Sequence, residues 1–143
     1  MKKFFLLVAS MAMTFCLSQA QNPDIDALRA MIQKGRVTID YSFVYEGNVN
    51  YSGRITVQDE CFKAVGNGFE IYCDGSSRWT VDPEAKEVYI EKSQGQDELL
   101  RYLSDVTDLQ FKKVRSVAAS DNLSLFIPDL SSCGEDWVIT DLR

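Results

Sequence analysis

The sequence predicts a mainly β domain with two helices (α+β), built on one curved antiparallel sheet that forms an incomplete barrel, and three observations carry that prediction. The stretch Cys61 to Ile90, CFKAVGNGFEIYCDGSSRWTVDPEAKEVYI, holds four short apolar runs joined by Gly66-Asn67-Gly68, Asp74-Gly75 and Asp82-Pro83. These joining residues supply the positive or fixed φ that hairpin turns need. Ahead of it, Val37, Ile39, Tyr41, Phe43 and Tyr45 alternate with Thr38, Asp40 and Ser42, the period of a half-buried strand. Apolar residues recur at helical spacing in two places, Ile25, Leu28, Met31 and Ile32 before the strands, and Leu99, Tyr102, Leu103 and Val106 after the sixth.

Residues 1–20 read as an export signal, with Lys2 and Lys3, an apolar run from Phe4 to Leu17, and Ser18-Gln19-Ala20 at the cleavage point. Cys16 follows Phe15 rather than a small residue, which favours ordinary cleavage after Ala20 over a lipoprotein signal, and a periplasmic product of residues 21–143 forming one domain. Cleavage takes the formal charge from -6 to -8 by removing Lys2 and Lys3. An acidic chain repels phosphate backbones, so nucleic acid is not an expected partner. The basic cluster Lys112, Lys113 and Arg115 reads as a solvated strand face. No later apolar run is long enough to span a bilayer, so the mature chain is not expected to be integral to the membrane.

Along the mature chain, Asn22-Pro23 opens the first helix with a cap and a proline at its first position, Asp24 and Asp26 favour the positive end of its dipole, and Gly35 ends it. The strand Val37 to Tyr45 turns at Glu46-Gly47-Asn48 into a second, with Tyr51, Ile55 and Val57 on its apolar face, and Asp59-Glu60 turns the chain again. In the meander, Phe62 and Ala64 point one way and Val65, Phe69 and Ile71 the other, so these strands are apolar on both sides and must be covered twice or line something apolar that is not protein. With Pro83 to Lys86 as a four-residue loop, Trp79 faces Ile90 and Val81 faces Val88. After the second helix, strands are expected at Phe111 to Val117, Leu123 to Ile127 and Trp137 to Thr140. Roughly 120 mature residues are too few to close a wide barrel and fill it, which favours an open sheet with the helices as plug or lid.

Three cysteines outlast cleavage. If Gly66-Asn67-Gly68 is a three-residue loop, Cys61 falls opposite Cys73, within reach of a disulfide; two buried free thiols are the alternative. The sequence contains no histidine, so the commonest general base and metal ligand is missing. The close carboxylates Asp82 with Glu84 and Asp24 with Asp26 have structural uses at a turn and a helix start. No catalytic residue, metal or cofactor is expected.

The order of helix, aromatic-ended strand, Gly53-containing second strand and meander resembles the LolA-like periplasmic carriers of outer-membrane lipoproteins. Its most specific part is Asp74-Gly75, Trp79 and Asp82-Pro83, and the ending Ile139-Thr140-Asp141-Leu142-Arg143 is also similar. The resemblance covers about Asp24 to Glu91; the second half is shorter than in full-length carriers. It implies an incomplete barrel with a helical lid, and a hydrophobic cavity that shields the acyl chains of a lipoprotein or other lipid. It further implies inner- and outer-membrane transport proteins as partners. Lys63, after Phe62, stands where the family often carries an arginine credited with lid control. Tyr41, Phe43, Ile55, Phe62, Tyr72, Trp79 and Ile90 are the candidate groove lining, each with core packing as the alternative. A secreted interaction or scaffolding module without lipid cargo is the competing function.

Overall fold

The computed structural model describes residues 23–45 and 48–143. The export signal, the Asn22 cap and the Glu46-Gly47 part of the first turn lie outside the described residues. The order is α1 (Pro23–Ile32), β1 (Arg36–Tyr45), β2 (Val49–Gln58), β3 (Cys61–Gly66), β4 (Phe69–Cys73), β5 (Ser77–Asp82), β6 (Glu87–Lys92), α2 (Gln96–Asp105), β7 (Thr107–Val117) and β8 (Val138–Asp141). Two single 3-10 turns, Ser124–Phe126 and Leu130–Ser132, lie between the last two strands.

All eight strands join one open sheet in the order β7-β1-β2-β3-β4-β5-β6-β8. The meander expected from the turn residues is present, and Trp79 does face Ile90 and Val81 does face Val88 across the Pro83 to Lys86 loop. Four expectations are corrected. The Leu123 to Ile127 run is not a strand: Asn122 accepts from the Ser124 amide and starts a 3-10 turn, and Pro128 leaves no room for an extended run. The last strand is not antiparallel to its neighbour, since β8 pairs parallel with β6 after the chain has crossed the sheet.

The third correction concerns the thiols. Asn67 at φ 51° and Gly68 at φ 81° form the β3–β4 turn alone, while Gly66 stays in the strand opposite Phe69. Two successive left-handed residues give the twist that matches a right-twisted hairpin. The register therefore moves by one, Cys73 pairs with Phe62, and alternation puts Cys61 on the other face; by the same shift, as a fourth correction, Phe69 and Ile71 share the face of Phe62 and Ala64, and only Val65 of that group turns the other way. Cys61 and Cys73 are free and buried; the Cys73 thiol donates to the Ser93 hydroxyl at 3.3 Å, and burial pushes the Cys61 thiol up.

The sheet buries apolar residues on both faces. Ile25, Leu28 and Ile32 of α1 and Leu99, Leu100 and Leu103 of α2 pack on Val37, Ile39, Ile55, Val57, Phe62, Ala64 and Cys73. On the opposite face Tyr72, Val81, Val88 and Ile90 pack with Trp79, Leu130 and Trp137. The segment after β7 is thus a cover for the face that the helices leave bare.

Candidate functional site

The strand registers align side chains in rows across the helix-bearing face. One row runs Val37, Val57, Phe62, Cys73, and the next Ile39, Ile55, Ala64, Ile71. The third runs Phe111, Tyr41, Gly53, Gly66, Phe69, and the fourth pairs Phe43 with Tyr51. Exposure rises along β1, from 0% at Val37 and 1% at Ile39 to half-buried Tyr41, Phe43 and Tyr45. Lengths explain the gradient: a ten-residue helix reaches about 15 Å, whereas ten-residue strands reach about 33 Å, so the far end of the β1–β2 hairpin outruns its cover.

Beyond the helices the face becomes aromatic. Tyr41 stacks on Phe43 with centroids 5.8 Å apart, Phe43 stacks on Tyr51 at 5.3 Å, and Tyr45 meets Tyr51 edge-on at 6.3 Å. Half-buried Leu109 and Phe111 of β7 pack against the core beside them. Tyr41 lies across the glycines of the neighbouring strands: a Cβ on Gly53 or Gly66 would come within 2.8 or 2.9 Å of its hydroxyl oxygen. Those two glycines make the gap that the ring occupies, and burial raises the Tyr41 hydroxyl pKa. The result is an apolar shelf of aromatic faces.

The seven expected lining residues do not come together. Tyr41 and Phe43 form part of the shelf, Ile55 and Phe62 are sealed beneath the helices at 2% exposure, and Tyr72, Trp79 and Ile90 lie on the opposite face. Lys63 also faces away from the helices, with its ammonium 5.0 Å from the Tyr72 ring centroid, so it holds no lid. The arginine that does reach a helix is Arg78 of β5, which donates to Glu98 and Tyr102 of α2 and to Glu91 of β6. Glu98 accepts further bonds from the Ser93 hydroxyl at 2.9 Å and the Gln94 amide at 3.1 Å.

Tyr45, Tyr51 and Phe111 were not singled out as lining from sequence, although aromatics crowding the hairpin end of an alternating strand pair were the available signal. The turn motif has local work: Asp74 accepts from the Ser76 and Ser77 amides, and Asp82 from the Ala85 amide. Among the described residues no group of three or more Cys, Asp or Glu is placed to hold a metal, and no helix is long and apolar enough to cross a membrane. Comparison with protein-family models and with curated proteins finds no match.

Proposed function

We propose that this protein is a LolA-like periplasmic carrier that shields acyl chains of outer-membrane lipoproteins, or of another lipid, on the aromatic shelf at the end of the helix-bearing face. The observation that carries the reading is the continuity of that face: one apolar surface runs from a helix-covered core at Val37 and Ile39 to half-exposed Tyr41, Phe43 and Tyr45. An acyl chain laid there would continue the core outward. Each methylene removed from water contributes about 0.8 kcal/mol, so a chain of modest length is held without any charged contact.

The test is binding of a fluorescent fatty-acyl probe or an acylated peptide to the mature protein. Shortening the acyl chain by two methylenes should weaken binding roughly tenfold. Phe43→Ser and Tyr51→Ser should weaken it strongly, whereas Trp79→Phe on the opposite face should not. Absence of binding by every acyl probe, or equal loss in all three variants, would sink the carrier reading and favour the interaction module.

A further inference from the structure

On the face turned away from the helices, a cavity of about 710 Å³ opens over β1, β2 and β3. Its lining includes Arg54, Lys63 and Lys112, the hydroxyls of Ser42 and Ser52, and a single carboxylate, Asp40. That carboxylate is already matched: Arg54 donates to it at 2.7 and 3.4 Å, and Lys113 stands 3.9 Å away. Neither Lys63 nor Lys112 has a carboxylate partner among the ion pairs of the described residues. Lys63 is steadied instead over the Tyr72 ring.

This arrangement runs against the composition. In a chain with 21 acidic and 15 basic residues, a concave wall with three cations and one neutralised carboxylate is a local reversal of charge. A recess concentrates such a field on small ions. Three cations against one carboxylate leave two positive charges, which match the charge of about -2 on a phosphate monoester near neutral pH. Ammonium groups suit phosphate oxygens as point charges, and the serines offer donors and acceptors to neighbouring hydroxyls. The depression is open and wide, with room for a small molecule rather than a lone ion.

We propose that this cavity binds a phosphate monoester carried on a hydroxyl-bearing body, with Lys63 and Lys112 holding the phosphate and Ser42 and Ser52 contacting the body. The site lies across the sheet from the aromatic shelf and stands independently of the acyl-carrier reading. Two sources share this chemistry, a soluble sugar phosphate and a phosphomonoester lipid headgroup.

The experiment titrates the mature protein with glucose 6-phosphate, and in parallel with phosphatidylcholine vesicles with and without phosphatidic acid, following amide resonances of β1, β2 and β3. Lys63→Gln and Lys112→Gln should each weaken binding of the active probe roughly tenfold, the scale of one lost charge-assisted contact. Lys34→Gln, an equal change in net charge at an exposed position beside α1, should leave it unchanged. Ser42→Ala should weaken glucose 6-phosphate while sparing inorganic phosphate. Response to the soluble ester or to the acidic vesicles alone identifies the source. The proposal is overturned if neither probe moves resonances at the cavity, or if Lys34→Gln costs as much as the two cavity lysines.

Discussion

Arg78 sits 5% exposed among groups that each answer part of its charge, and its Nε alone lacks a hydrogen-bond partner. Burial works against the guanidinium, but Tyr102 and Glu91 keep it charged. Breaking a buried pair leaves the other charge stranded, so Arg78→Met should lower the unfolding free energy by about 3–5 kcal/mol in urea titration. Combining it with Glu98→Gln should recover part of that loss. Tyr72 tests a second environment at the same scale. Burial, then the neighbouring Glu70 charge and its hydrogen bond, push the phenol from 10.0 to about 12. The folded state therefore keeps a proton that the unfolded chain releases. Stability from this source is intact below pH 10 and falls as pH rises toward about 12, a slope that Tyr72→Phe should remove from alkaline unfolding curves. That Tyr72 faces away from Phe62 was not readable from composition alone: it follows from a register set by two residues, Asn67 and Gly68, once Gly66 is counted as strand.

At the scale of elements, the β1–β2–β3 sheet depends on two strand glycines facing each other beneath one tyrosine. A Cβ on Gly53 would meet the Val65 carbonyl oxygen at 2.1 Å and the Gly66 Cα at 2.8 Å, both backbone atoms that cannot swing aside. Gly53→Ala should therefore cost about 1–3 kcal/mol in equilibrium unfolding and should blunt acyl binding, because displacing Tyr41 disturbs the shelf. The turn positions, both helices and the Trp79 to Ile90 register were legible because each rests on a local signal, whereas the β3–β4 register was not, since Gly66 reads equally as turn or strand. The parallel β6–β8 pair was not, since its partners are far apart in sequence and four residues carry no mark of strand direction. The 3-10 turn at Ser124–Phe126 was missed because an apolar run reads alike in a strand and in a segment pressed onto a sheet.

For the whole molecule, the meander is apolar on two faces through other residues than expected, and protein covers both: the helices over Phe62, Ala64 and Cys73, and the chain after β7 over Tyr72, Val81, Val88 and Ile90. This resolves five of the seven lining candidates into core, and leaves half-buried Tyr41 and Phe43 on the hairpin beyond it. Phe126 fastens the second cover, with 0% exposure and the Arg36 guanidinium 5.3 Å from its ring centroid. Phe126→Ala should lower stability by about 3–5 kcal/mol in thermal or denaturant unfolding while leaving the shelf's preference for acyl chain length unchanged.

An open sheet also has two rims, and they are guarded differently. The β8 rim is short, whereas β7 runs for 11 residues and, among the described residues, has no strand beyond it in the sheet. Its pairing with β1 slips twice, and Asp108 and Lys113 take φ of 53° and 52° near those slips. Such bulges, with Lys112, Lys113 and Arg115 along the same strand, spoil the straight ladder that a second chain would copy. The aromatic shelf begins on β1, the strand next to this rim, so the bulges and cations of β7 stand between the shelf and any second chain that approaches this edge.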